Sequence, residues 1–180
     1  MVTSLAKEDV RRSAKANDVT LNYYEAGPDA PTGVGGDLPL VMLHGGGPGA
    51  SAWSNFGSAL PRFASTFRTL LVDMPGFGGS DKPPVEGNYF RFAASYVVQL
   101  LDELGLERVH LLGNSLGGGV ASRIAIDHPD RVGRLVLMGP GGLSLNLFHA
   151  DPTEGVQRLM DFGANPTREA LRAFLSLIHI

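Results

Sequence analysis

The 180-residue chain has no cysteine, which removes disulfides and thiolate metal sites, and secretion gains no support from a disulfide framework. Charge is sparse: 18% of residues are charged and the net charge is -3. The Lys and Arg residues are scattered, so the electrostatic footprint of a nucleic-acid binder is missing. No apolar run approaches the roughly 20 residues of a membrane span. The opening Met1 to Arg12 interleaves Lys7, Glu8, Asp9, Arg11 and Arg12 with single apolar residues, a pattern that excludes the apolar core of a signal peptide. These absences point to a soluble cytoplasmic protein acting on a small molecule, with neither nucleic acid nor membrane as partner.

What the chain has in quantity is apolar residues, at 43%, and glycine, at 24. The composition supports one globular unit with a real core. The glycines and prolines collect after short apolar runs. Leu38 to Leu43 leads into HGGGPG, Thr69 to Val72 into DMPGFG, Val109 to Leu112 into GNSLGG, and Leu135 to Met138 into GPGG. Runs of four to six apolar residues without polar alternation predict four parallel strands, buried on both faces. Ala93, Tyr96, Val97, Leu100, Leu101 and Leu104 recur at helical spacing. They predict a crossover helix over Arg91 to Leu104 that Gly105 ends. Val19 to Glu25 alternates and predicts a half-exposed antiparallel strand; Asp29 to Asp37 predicts a loop. After Gly142, Leu143 to Ala150 predicts a loop, and Pro152 to Phe162 and Thr167 to Ile180 predict two helices. Strand, glycine turn, helix, strand is the order of an open α/β sheet, whose ligands gather outside the carboxyl ends of the strands.

Gly113-Asn114-Ser115-Leu116-Gly117 is G-x-S-x-G between a buried strand and a helical segment with Val120, Ala121, Ile124 and Ala125. This is the context of a nucleophile elbow: small residues let the strand turn sharply, and Ser115 is left on the exposed apex. His44-Gly45-Gly46-Gly47 ends the first parallel strand and is the type of turn that supplies a second oxyanion N–H. Gly45-x-Gly47-x-x-Ala50 also satisfies a dinucleotide fingerprint. Its acidic partner is expected roughly 20 residues on, whereas the nearest candidate, Asp73, lies further along and Ser115 stays unexplained. His44 precedes the nucleophile, contrary to the order Ser, Asp or Glu, His, and reads as a structural histidine around its turn. His128 reads as a charge closing the helix after Ser115. His110 lies in a strand, His149 in a loop, and His179 near the chain end with no strand to position it. Asp73, with Ser80 and Asp81, reads as shaping the second glycine turn.

HGGGPG, W-S-N-F, D-M-P-G-F-G-x-S-D, GNSLGGG and LVLMGPGGLS together resemble the meta-cleavage-product hydrolase family, from about Val19 to Phe174. Its fold would be the α/β-hydrolase fold, here truncated after the start of the helical lid, with residues 1–142 in the core and 143–180 in the lid. Leu143 to Leu159 is most similar to the actinobacterial branch acting on the seco-steroid dienoate of cholesterol ring degradation, with biphenyl-type members close behind. The resemblance implies Ser115 as nucleophile, the N–H groups of Gly46 and Leu116 as oxyanion hole, and Gly46, Gly47, Asn55 and Asn114 as contacts to the dienoate. No metal or organic cofactor is implied, and homo-oligomerisation is left open. The family's Asp, His and lid Arg would fall beyond Ile180, as would the last strands. Leu175 to Ile180 departs from the family pattern, so a truncated, catalytically crippled and aggregation-prone chain is expected. A carboxylesterase or lipase-like hydrolase is the alternative enzyme, because Ser115 and the glycine turn would serve any acyl transfer.

Overall fold

The computed structural model describes residues 5–28, 38–142 and 154–176. It divides into two compact units, Met1–Leu143 and Ser144–Ile180. The predicted loops at Asp29 to Asp37 and Leu143 to Ala150, together with His149 and the LIHI end, lie outside the described residues.

The first unit is built on a six-stranded sheet of β1 (Arg11–Ala16), β2 (Val19–Ala26), β3 (Leu40–Leu43), β4 (Thr69–Val72), β5 (Val109–Asn114) and β6 (Val132–Met138), in the order β1-β2-β4-β3-β5-β6. The last four strands are mutually parallel, and β1 and β2 join them as an antiparallel hairpin. Asn17, at φ 54°, turns that hairpin, which suits the left-handed tolerance of asparagine. The side-chain period of two sorts each central strand between two layers. Val41, Leu43, Leu70 and Val72 pack with α4 (Tyr89–Glu103) and α5 (Leu116–Asp127). Leu40, Met42 and Leu71 pack on the other face with α1 (Lys7–Val10), α2 (Ala52–Phe56) and α3 (Leu60–Ala64). Each fully buried Leu, Met or Val in this sandwich stabilises by about 1.5–3 kcal/mol relative to exposure.

The crossover helix begins two residues before its predicted start because Asn88 caps it, its side chain accepting from the N–H groups of Phe90 and Arg91. At the other end Gly105 takes φ 65°. Leu106 N–H then reaches Leu101 O at 2.8 Å and Gly105 N–H reaches Asp102 O at 3.0 Å, a Schellman termination.

Two expectations are corrected. β2 is not half-exposed: its alternate faces enter both layers, with Leu21 and Tyr23 on one side and Tyr24 beside Trp53 on the other. Polar Asn22 is buried there because its amide donates to Asp73 Oδ2 at 2.8 Å. β6 is not buried. Leu135, Val136, Leu137 and Met138 are 37%, 50%, 36% and 48% exposed, since β6 is the edge strand of the sheet among the described residues and, of the helices, only α5 packs beside it. The charged Arg11–Ala16 segment carries no strand expectation, yet it forms β1, the opposite edge.

The second unit holds α6 (Glu154–Ala164) and α7 (Arg168–Leu175). Thr167 caps α7, accepting from Ala170 N–H at 3.1 Å. Arg158 ties the helices by donating to Ala173 O at 2.7 Å and Ser176 Oγ at 3.0 Å. No described helix is long and apolar enough to cross a membrane.

Candidate active site

The turn from β5 into α5 forces Ser115 to φ 49°, ψ -113°, a region that a residue with a Cβ enters only at a cost of about 1–3 kcal/mol. Glycines around it make the turn sterically feasible. A Cβ on Gly113 would stand 2.5 Å from Gly117 O and 2.6 Å from Gly118 Cα. One on Gly117 would collide with Leu43 O and lie 2.6 Å from His44 O. The apex is then pinned by the backbone: Ser115 N–H donates to Met138 O at 2.9 Å, while Ser115 O accepts from Gly118 at 3.0 Å and from Gly141 at 2.7 Å. The GPGG turn after β6 thus supports the Ser115 carbonyl, a role for Gly141 that sequence reading missed. Its signal was the glycine turn itself, whose partner only the fold reveals. The Ser115 side chain is exposed on top of this scaffold.

The β3 turn lies against the same apex. Gly117 N–H donates to His44 O at 3.0 Å, and a Cβ on Gly46 would be 3.0 Å from Leu116 Cδ2. Among the described residues, neither Gly46 N–H nor Leu116 N–H has a hydrogen-bond acceptor. Two free donors beside an exposed hydroxyl can stabilise an oxyanion formed on a carbonyl that the hydroxyl attacks. A Cβ on Gly47, at φ 132°, would meet nothing within 4 Å, so this glycine is on the open side of the turn.

Asn55 and Asn114 come together although 59 residues separate them. Asn55 Oδ1 accepts from Gly45 N–H and from Asn114 Nδ2, both at 3.0 Å. Because a backbone N–H can only donate, the Asn55 amide orientation is determined, and Asn114 must then present its NH2. Among the described residues Asn114 Oδ1 has no hydrogen-bond partner, and neither has the Asn55 NH2. One acceptor and one donor group therefore line the approach to Ser115.

The other candidates are engaged elsewhere. His44 is fully buried; its Nε2 accepts from Met74 N–H at 3.1 Å and its Nδ1–H donates to Gly45 O at 2.7 Å. Both nitrogens are spent on shaping the turn. Burial pushes the His44 pKa down, against the opposing pull of the Gly45 carbonyl and Asp73. The unfolded chain therefore binds a proton more readily than the folded one. This contribution to stability is complete above the ordinary histidine value of about 6.5 and drains as pH falls from there through the folded value. The thermal midpoint should fall between about pH 7 and pH 5.5, and His44→Gln should flatten that slope while lowering the midpoint at pH 7. An unchanged slope in the variant would remove His44 as the cause.

Asp73 is also fully buried. Its carboxylate accepts from Ala52 N–H at 2.6 Å, Asn22 Nδ2 at 2.8 Å and Gly79 N–H at 2.8 Å. Ser80 Oγ donates to Asp73 O at 2.6 Å and Asp81 Oδ2 accepts from Thr20 N–H at 2.7 Å, so all three residues build the second glycine turn. His128 caps the far end of α5, about 20 Å from Ser115 at 1.5 Å per residue. His110 is five positions back along β5, about 16 Å away. No described histidine reaches Ser115. The dinucleotide reading of Gly45 to Ala50 fails on the fold, since the turn opens onto α2, a helix of five residues, rather than the long crossover helix that motif requires. Among the described residues no three His, Asp or Glu side chains gather to hold a metal.

The chain is similar to several known proteins. The chain is 37% identical to the 2-hydroxy-6-oxo-6-phenylhexa-2,4-dienoate hydrolase of Comamonas testosteroni, covering 98% of this chain and 61% of that one. It is 40% identical to the 2-hydroxy-6-oxononadienedioate/2-hydroxy-6-oxononatrienedioate hydrolase of Paraburkholderia phymatum, covering 94% and 61%. The chain therefore spans less than two thirds of these curated relatives. Among solved structures, the serine hydrolase CCSP0084 of Cycloclasticus zankles superposes with a TM-score of 0.76 at 34% identity, covering 91% of this chain and 55% of that one. The 2-hydroxy-6-oxo-6-phenylhexa-2,4-dienoate hydrolase of a Rhodococcus species also gives 0.76, at 27% identity, covering 92% and 57%. Residues 39–173 match the family described as alpha/beta hydrolase fold. With that match running from β3 through α5 and β6, and with the strained serine where the fold turns from strand to helix, this chain belongs to the alpha/beta hydrolase fold family.

Proposed function

We propose that this chain carries the nucleophile and oxyanion hole of a serine-dependent hydrolase that cleaves a carbon–carbon bond in a ring-opened 2-hydroxy-6-oxo-dienoate. The observation that carries the reading is the convergence of the exposed Ser115 hydroxyl with the free N–H groups of Gly46 and Leu116. Ser115 Oγ attacks the ketone carbon, its proton passes to a base, and the new oxyanion is received by the two N–H groups. Beforehand the dienol is ketonised, its 2-hydroxyl proton being lost and a proton added at C5, so that the C5–C6 bond can break as the oxyanion collapses to an acyl-Ser115, its electron pair delocalised as an enolate onto the new 2-keto group and then protonated; water releases the acyl group from Ser115. Gly46, Gly47, Asn55 and Asn114 meet the substrate's polar head, with Asn114 Oδ1 and the Asn55 NH2 free for its enol and carboxylate. The base and its acidic partner belong to the portion that the longer relatives possess, since no described histidine reaches Ser115. Residues 143–180 begin a helical lid, and the setting is a cytoplasmic catabolic one. Within the dienoate class, Leu143 to Leu159 favours a seco-steroid substrate; the phenyl-substituted and dioate compounds that name the relatives above are the alternatives.

Carboxylester hydrolysis is the second reading, favoured by the same serine and oxyanion turn. It is tested by joining residues 1–142 to the remaining portion of a relative and assaying a coloured ring-opened dienoate beside a nitrophenyl ester. Turnover of the dienoate exceeding that of the ester by 100-fold or more is expected, as an order of magnitude for a site built around a polar head group. Ester turnover that equals or exceeds dienoate turnover would give the assignment to the second reading.

A further inference from the structure

A hollow of about 600 Å³ lies on the outer side of the β3 glycine turn, where Gly47 and Gly49 meet Lys7, Arg11, Tyr24 and Lys82. Among the described residues the lining has three cationic side chains and no carboxylate, in a chain whose net charge is -3. The three cations are exposed, and each has a contact that orients it. Arg11 Nε donates to Asn22 Oδ1 at 2.7 Å, Lys82 Nζ donates to Gly78 O at 3.3 Å and Ser80 O at 3.2 Å, and Lys7 Nζ stands 5.8 Å from the centre of the Tyr24 ring. Each keeps further N–H donors. The N–H groups of Gly47, Gly49 and Gly78, in the same lining, have no acceptor among the described residues.

Three acidic groups lie nearby, and none is in the lining: Asp81, which feels Lys82 while its carboxylate accepts from Thr20 N–H at 2.7 Å, Glu8 and Asp73. Glu8 is 3.8 Å from Arg11 with its side chain 73% exposed, a geometry in which attraction is weak. Asp73 lies behind Gly78, with its oxygens occupied by Ala52, Asn22 and Gly79. Unspent donors and unbalanced positive charge around a space of small-molecule size call for oxygen-rich anions, which accept from both ammonium and guanidinium groups.

We propose that this hollow, which does not include Ser115 and shares only Gly47 with the polar-head contacts given above, is an anion-binding site for a small molecule bearing a carboxylate or phosphate group. An occupant would bridge α1, the β3 turn and the Gly76–Lys82 turn. It would thereby stiffen the segment that presents Gly46 N–H. The proposal does not depend on the reaction assigned to Ser115.

The test is a titration of the ¹⁵N-labelled chain with inorganic phosphate, and in a second arm with succinate, at constant ionic strength set by chloride. Saturable amide shifts confined to Lys7–Arg11, Gly47–Ser51 and Gly76–Lys82 are expected. Saturation by phosphate alone, by succinate alone or by both supports the site and identifies which anion chemistry it takes. Lys7→Gln combined with Lys82→Gln should weaken binding about tenfold or more, and Lys7→Gln alone, which removes an exposed side chain, should weaken it by a smaller factor. Spectra unchanged away from the hollow check that the variants fold. Shifts that never saturate, that spread over the whole surface, or that persist at full strength in the double variant would overturn the proposal.

Discussion

Ser115→Ala, made in a chain joined to a relative's remaining portion, should lower dienoate turnover by about 10⁴-fold or more, the scale on which serine nucleophiles are lost elsewhere. The melting temperature should barely move, because the side chain is exposed and its removal opens no cavity. Ser115→Gly separates chemistry from strain. It removes the same hydroxyl but also relieves a backbone at φ 49° that only glycine adopts without penalty. Activity should be equally lost while stability rises by about 1 kcal/mol. Turnover near that of the parent in either variant would eliminate Ser115 as nucleophile, and a fall in stability for the glycine variant would contradict the strain.

Gly117→Ala should be the most damaging single methyl that can be added to the core. The new carbon would meet the Leu43 and His44 carbonyls, which are backbone and cannot rotate away. Relief requires α5 to lift from β3, breaking the 3.0 Å bond from Gly117 N–H to His44 O. The cost should reach about 3 kcal/mol or more, the upper range for overpacking. Gly163→Ala is the matching control, since nothing lies within 4 Å of its added carbon and alanine gains about 0.5–1 kcal/mol of helix propensity. Denaturant midpoints moving in the same direction for both variants would refute the packing argument.

The central strands and the elbow were legible because each has a local cause. An apolar run followed by glycine reports a buried strand and its turn within a few residues. The strained serine announces itself through the glycines that make room for it. Features resting on long-range pairing were not legible. β1 carries no strand expectation, since the charges of RRSAKA suit an exposed edge and mask the strand. The Leu135 to Met138 run reads as buried because apolar pattern cannot report whether a neighbour is present. The Asn55–Asn114 pair joins positions too distant for any spacing rule, so its shared oxygen could be found only in three dimensions.

The Asp73 carboxylate has a consequence for the order of folding. Its three donors belong to residues 22, 52 and 79, one on the β1–β2 hairpin, one at the head of α2 and one in the following turn. Neither glycine turn can acquire its final shape from its own residues until these distant segments have met. Closure of such non-local contacts is slow, so the turn at Ser115 can form early with β5 and α5 while the glycine turn after β3 waits. In kinetic terms the rim is completed last, and protection of the Ala52 and Gly79 amides against exchange should lag behind that of the Leu111 and Leu112 amides during refolding.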